Sequence, residues 1–135
     1  MTKSQSTHPL LKLPHNFRNE EKEFARLGLN TWEEVVRLTS NEINDLTQTS
    51  QCSYLNLRRL ICLGLLICKM NISQKESSLL IHSGLASVKA IATSTPQEII
   101  KRTGRLERML SIRRTPIISL GKASSLIKKA IAIEK

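Results

Sequence analysis

The residues of this chain whose types could do chemistry are its cysteines, histidines and carboxylates, and their spacing matches no catalytic or metal-binding pattern. Cys52, Cys62 and Cys68 contain no CxxC pair, and the three histidines lie far apart. The sequence contains no paired carboxylates, Ser-His or Cys-His spacing, or glycine-rich phosphate loop. We therefore predict that the protein is not an enzyme, needs no cofactor and holds no metal ion.

Two of these residues still merit an individual interpretation. Cys52 lies in a polar turn and is the candidate nucleophile, but we expect an inert thiol there. His82 stands beside Gly84, where we expect it to close a helix end rather than to do chemistry. Because the number of cysteines is odd, a disulfide framework is disfavoured, and we predict reduced thiols.

The N-terminal segment and the longest apolar run bear on location. Residues 1–14 lack the apolar core of a secretory signal. The run from Leu60 to Cys68 has nine residues and contains Gly64, so it is too short to span a bilayer and is typical of a buried helix. The expected location is the cytoplasm.

Lysine and arginine are the other chemically informative residues. The 135-residue chain carries 21 of them against 11 acidic residues, which gives a net charge of +10. Residues 18–70 hold seven basic and seven acidic side chains, whereas residues 71–135 hold twelve basic and four acidic ones. This surplus predicts an anionic partner, which we expect to be nucleic acid or an acidic protein surface in preference to a membrane.

Helices must position these cations. Within residues 77–104, Gly84 falls where a helix C-terminus needs a residue that can take positive φ, and Ser87 and Thr95 are placed to cap the next two helices. Val88 and Ile91 follow with helical spacing. Because no stretch shows the alternation of a β-strand, we predict an all-α fold.

The same pattern occurs 56 residues earlier, which predicts a tandem duplication. The shift pairs Gly28 with Gly84, Thr31 with Ser87, and Thr39 with Thr95. A shift of 70 residues pairs 54–59 with 124–129, which implies 14 additional residues near 105–119 in the second copy. The predicted organisation is a flexible arm (1–17), a first repeat (18–70) and a second, basic repeat (71–135).

We expect the two repeats to pack as one compact unit, because each copy alone is near the size at which a single core is marginal. Leu65 and Ile131 are expected to face inward, and Arg58 and Arg59 outward. The predicted shared core consists of Phe24, Trp32, Val35, Leu57, Ile61, Leu80, Ile91, Ile99, Leu126 and Ile127.

The segment LGLNTWEEVVRLTSNEINDL (27–46), with Ser53 at the start of the last helix, resembles the C-terminal domain of the bacterial RNA polymerase alpha subunit, a helix-hairpin-helix domain. From Arg18 to Ile133 the chain is also similar to an uncharacterised bacterial, cyanobacterial-type family of tandem helix-hairpin-helix proteins known as a domain of unknown function. The resemblance implies two tandem helix-hairpin-helix repeats. Because this fold contacts DNA in some proteins and protein in others, it leaves both functions open.

The resemblance also implies a binding surface. In the polymerase domain, an arginine near the first helix start and a Gly-Arg-Lys-Ser turn before the last helix meet DNA. The first repeat has the sequence SQCS (50–53) at that turn, without the glycine and the lysine. In the second repeat Lys75 corresponds to the arginine and Lys122 to the lysine, with Gly121 one place from the glycine.

The predicted function is non-enzymatic binding of nucleic acid, with duplex DNA contacted through its backbone by the second repeat. Base stacking on RNA is disfavoured because aromatic residues make up 3% of the chain. The alternative is a protein-interaction adaptor with Trp32 as its anchor, unless Trp32 packs in the core. The predicted nucleic-acid-binding residues are Lys75, Arg105, Arg108, Arg113, Arg114, Lys122, Lys128 and Lys129.

Overall fold

A computed structural model describes residues 7–110 and 117–134, without the side chains of 108–110. Throughout these residues the regular secondary structure is helical, apart from an isolated β-bridge between Pro9 and Thr31. The prediction of an all-α fold is confirmed. None of the described helices combines the length and the apolar character that crossing a membrane requires.

A short 3₁₀ helix (His15–Phe17) precedes eight α-helices in the described part of the chain. These are α1 (Arg18–Leu27), α2 (Trp32–Val36), α3 (Ser40–Thr49), α4 (Tyr54–Met70), α5 (Gln74–His82), α6 (Val88–Ala92), α7 (Pro96–Leu110) and α8 (Leu120–Glu134). The chain divides into two compact units, Met1–Cys68 and Lys69–Lys135, so that the last two residues of α4 belong to the second unit.

Local signals in the sequence determine where the helices begin and end. After α1 the chain turns at Gly28 with φ +78°, and after α5 it turns at Gly84 with φ +90°. Left-handed backbone of this kind closes a helix without strain when the residue is glycine. Side-chain caps begin helices at Thr31, Thr39 and Ser73, and also at Ser87 and Thr95, as predicted.

The last helix of each unit also begins at a serine cap. Ser53 Oγ accepts the backbone N–H of Asn56 at 3.2 Å, and Ser119 Oγ accepts that of Lys122 at 3.2 Å. The two caps are 66 residues apart, rather than the 70 that the sequence alignment predicts. Helix α8 therefore starts at Leu120, directly after this cap.

Apolar side chains fill the interior of both units. Nine of the ten predicted core residues are buried, and Ile127 is half-buried. Leu65 and Ile131, however, are 40% and 44% exposed, so their predicted inward orientation is wrong. Leu65 lies on the same exposed stripe of α4 as Cys62 and Lys69. Apolar residues occupy more than one face of this helix, so the apolar pattern alone does not show which face is buried.

Helices α2 and α4 of the first unit approach each other closely at Gly64. A Cβ at this position would lie 2.7 Å from Val36 Cγ1 and 2.9 Å from Trp32 Cε3, so α2 packs directly on the backbone of α4. Trp32 is 1% exposed. The core interpretation of Trp32 is therefore confirmed, and the alternative, an exposed interface anchor, is wrong.

The part of the N-terminal arm that the structure describes contacts the first unit. The Leu10 N–H donates to the Asn30 carbonyl at 2.9 Å, and the Trp32 N–H donates to the His8 carbonyl at 2.8 Å. Leu13 is buried, and its N–H donates to Glu21 Oε2 at 2.9 Å. These bonds hold residues 8–10 at the turn between α1 and α2, and Leu13 against α1.

Candidate nucleic-acid interface

An open, basic cleft of about 500 Å³ lies beside the turn at the end of α5. Helix α7 contributes one side of it, with Lys101, Arg102 and Arg105 all exposed. Their spacing of one and three residues places all three along one side of the helix. The full lining is His82, Ser83, Glu98, Lys101, Arg102, Arg105 and Leu106.

The turn beside the cleft is rigidly bonded. The N–H groups of Ser83, Gly84 and Leu85 donate to carbonyls of the last turns of α5, with Leu85 N to Leu80 O at 2.8 Å. Because these donors are already used, any anion in the cleft must be bound mainly by side chains. Arg102 crosses the turn closely, since a Cβ at Gly84 would lie 3.0 Å from Arg102 Nη1.

Polar groups in the cleft differ in their hydrogen-bond partners. Arg102 Nε donates to Glu98 Oε2 at 2.8 Å, and this bond, opposed by a smaller effect of burial, lowers the pKa of Glu98. His82 Nδ1 lies 2.8 Å from the Ser78 carbonyl, one helical turn earlier in α5. Ser83 Oγ is buried and finds no hydrogen-bond partner within the described residues.

The predicted binding residues fall into three groups. Lys75, Arg105 and Lys128 are exposed, and of these Arg105 lines the cleft. Lys122 and Lys129 are held by other parts of the second unit. The Arg108 side chain, Arg113 and Arg114 lie outside the described residues.

Lys122 and Lys129 each bond to a specific partner. Lys122 Nζ lies 3.2 Å from Glu76 Oε2, and Lys129 Nζ donates to the Met70 carbonyl at 2.9 Å. Burial alone would raise the pKa of Glu76, but hydrogen bonds from the Ser73 backbone and from Lys122 lower it. The structure therefore places Lys122 inside the first turn of α8, bonded to α5, rather than in the turn before the last helix.

Lys101 and Arg102 were missing from the predicted site. The signal was present in the sequence, because they lie one helical turn before Arg105 and face the cleft with it. The 56-residue shift also pairs Lys101 with Asp45 and Lys89 with Glu33, so acidic positions of the first unit are basic in the second. A comparison of charge between the two copies would have found Lys101.

The corresponding turn of the first unit is acidic and covered. Glu34 Oε1 accepts the N–H groups of Asn30 and Thr31 at 2.6 and 3.1 Å, and this bonding lowers the pKa of Glu34. The Asn30 carbonyl is bonded to Leu10 of the arm. A phosphate group would meet a carboxylate at this turn, so the first unit does not repeat the basic site.

The cysteines differ in environment. Cys52, the candidate nucleophile, is buried, and burial raises the pKa of its thiol, opposed by a hydrogen bond with Ser50. Burial and the Glu33 carboxylate raise the pKa of Cys68 to about 11. Among the described residues, His8, Glu33 and Cys68 bring potential metal-binding atoms within 4.8 Å of one another.

Comparison with known proteins gives one finding. A family model described as Domain of unknown function (DUF4332) matches residues 14–133. Neither the curated proteins nor the solved structures contain a match to this chain. The match covers all eight helices except the last residue of α8.

Proposed function

This chain is a member of the DUF4332 family of unknown function, and from its own surface we propose that it binds the phosphate backbone of duplex DNA without enzymatic activity. The observation that carries the proposal is the cleft of the second unit, in which Lys101, Arg102 and Arg105 are exposed side by side. Cations grouped in this way bind phosphates through charge and hydrogen bonds and release the counterions of the duplex.

The charge distribution supports the same surface. The unit Lys69–Lys135 holds thirteen lysines and arginines against four acidic residues, whereas Met1–Cys68 holds eight against seven. The net charges are therefore +9 and +1. A surplus confined to one unit creates a local positive potential that attracts a polyanion and orients the approach.

Buried aromatic residues favour a duplex over single-stranded nucleic acid. Single strands are bound largely by stacking of bases on exposed aromatic rings. Phe17, Phe24 and Trp32 are buried, and Tyr54, the remaining aromatic residue of the chain, is exposed but belongs to the first unit, which lacks the basic surplus. Backbone contact with a duplex needs no such platform.

The correspondence between the units supports a tandem helix-hairpin-helix arrangement as part of this proposal. Each unit has a helix closed by a left-handed glycine, a five-residue helix capped three residues later, and a further capped helix. In this interpretation the duplicated hairpins have diverged. The hairpin at Gly28 is bonded to the arm, and the hairpin at Gly84 borders the basic cleft.

The test is a comparison of two charge-reversal variants of the full chain. We expect Lys101→Glu with Arg105→Glu to weaken binding to a short duplex at least about tenfold, because phosphate contacts are lost. Each lost phosphate contact should also reduce the magnitude of the salt slope by about 0.9. Arg58→Glu with Arg59→Glu is the matched control, because both arginines are exposed in the first unit. Fluorescence anisotropy at several salt concentrations measures both quantities.

Two outcomes would contradict the proposal. Equal loss of affinity in the two double variants would mean that the cleft has no special role. Absence of salt-dependent binding by the wild type would exclude backbone contact and favour the adaptor function, in which the same cations meet an acidic protein surface.

A further inference from the structure

A second cluster of reactive side chains lies in the first unit, apart from the basic cleft. It consists of His8 in the arm, Glu33 in the first turn of α2, and Cys68 near the end of α4. His8 Nδ1 and Glu33 Oε2 are 2.6 Å apart, and one ligand atom from each of the three residues lies within 4.8 Å of the others. A ring nitrogen, a carboxylate oxygen and a thiol thus converge from three separate segments.

Backbone bonds hold His8 at this position independently of its ring. The His8 carbonyl accepts the Trp32 N–H at 2.8 Å, and the His8 N–H donates to Glu33 Oε1 at 3.1 Å. The neighbouring bridge between Pro9 and Thr31 continues this pairing. The ring therefore remains beside Glu33 without the cost of ordering a free arm.

Packing holds the other two ligands. Glu33 follows Trp32, which is buried against Gly64 of α4, and Cys68 lies one helical turn beyond Gly64. Because this contact leaves no room for a Cβ, the separation of α2 and α4 is closely defined at the cluster. The side chains of His8 and Glu33 are 15% and 25% exposed, so an ion can reach them from solvent.

We propose that His8, Glu33 and Cys68 bind a zinc ion that fastens the N-terminal arm to α2 and α4. Nitrogen, oxygen and sulfur donors together suit zinc, which binds imidazole, carboxylate and thiolate, whereas magnesium and calcium need oxygen ligands. Bond lengths of about 2.0–2.3 Å require small movements of side chains that already meet. Three protein ligands leave the fourth tetrahedral position for water or another ligand.

The proton balance of binding is simple. The thiol of Cys68 loses its proton to solvent as the zinc–sulfur bond forms, and the ion replaces any proton shared between His8 and Glu33. No change of oxidation state is involved. The bound ion links residues separated by 25 and 35 positions, so it favours the folded first unit by mass action.

The experiment titrates the chelator-treated full chain with zinc and with cobalt(II). The expected result is one equivalent of zinc, a raised melting temperature, and a thiolate-to-cobalt charge-transfer band. Cys68→Ser should abolish the band and weaken zinc binding at least about tenfold, the lower limit found even for residues that only support a ligand. His8→Ala should weaken zinc binding similarly, and because His8 lies in the arm, this variant separates loss of a ligand from loss of core packing.

Matched controls come from the same unit. Cys62 is exposed on α4 six residues before Cys68, and His15 lies in the 3₁₀ helix. Cys62→Ser and His15→Ala should leave zinc affinity and the cobalt band unchanged. Failure of the wild type to bind one equivalent, or binding that survives both Cys68→Ser and His8→Ala, would overturn the proposal. The result is independent of the duplex-binding experiment, which concerns the second unit.

Discussion

Gly64 illustrates how a single residue determines the packing of the first unit. Its hydrogen is the largest substituent that fits between α4 and the side chains of Trp32 and Val36, the nearest of which would lie 2.7 Å from a Cβ. Trp32 is buried and cannot move away without displacing its neighbours. The glycine thus serves close packing, although glycine within a helix is unfavourable by about 1 kcal/mol relative to alanine.

We expect Gly64→Ala to lower the free energy of unfolding, because overpacking costs about 1–3 kcal/mol and outweighs the gain in helix propensity. Urea denaturation measures the change. Gly121→Ala is the matched control: nothing lies within 4 Å of its added Cβ, so this variant should be neutral or slightly stabilising. Equal effects of the two substitutions would contradict the close approach of α2 to α4.

At the scale of helices, Glu76 joins two elements of the second unit. It accepts the Ser73 N–H at 3.0 Å at the start of α5, and it pairs with Lys122 of α8. Its pKa is lowered in the folded protein despite its burial. The carboxylate therefore stabilises the fold above the ordinary pKa of 4.5, and the contribution is lost as pH falls through the lower, folded pKa.

Glu76→Gln should accordingly reduce the free energy of unfolding by about 1 kcal/mol at neutral pH, the usual value of a capping interaction. The difference from wild type should shrink as pH falls below 4.5 and vanish below the lower, folded pKa, where the wild-type carboxyl is protonated in both the folded and the unfolded state. Denaturation at a series of pH values tests this. Glu134→Gln, at the exposed end of α8, provides the control, and a difference independent of pH would argue against the ionic contribution.

Lys128 and Lys129 are neighbours on α8 with different roles. Both side chains are exposed, and Lys129 in addition donates to the Met70 carbonyl at the end of α4. We expect Lys129→Ala to cost about 0.5–1.5 kcal/mol of stability, the net value of one hydrogen bond, and Lys128→Ala to be nearly neutral. Chemical denaturation distinguishes the two variants. A larger loss for Lys128→Ala would show that the helical register of α8 is different.

At the scale of the whole molecule, charge is the property that differs most between the units. If duplex binding uses the surplus of positive charge on the second unit, about four to six phosphates should be neutralised. The slope of log K against log salt should then lie between about −3 and −6. Backbone contact also predicts affinities within about threefold for two unrelated duplexes of equal length, because phosphates carry no sequence information. A slope near zero, or strong preference for one sequence, would contradict this mode of binding.

The sequence alone determined most of the helices, because their signals are local. A cap acts on an N–H group two or three residues away, and a glycine closes the helix that directly precedes it. The predicted caps and the two left-handed glycines are therefore present. The apolar period also identified nine of ten core residues, but it misplaced Leu65 because α4 is apolar on more than one face.

Tertiary structure decided which partners the charged and polar side chains contact. Lys129 bonds to a carbonyl 59 residues away, and the fully buried Glu20 accepts the N–H of Ser53 at 2.7 Å from 33 residues away. The cluster of His8, Glu33 and Cys68 likewise depends on the arm returning to α2 and α4. No local pattern encodes these contacts, because each arises only when packed helices bring distant positions together.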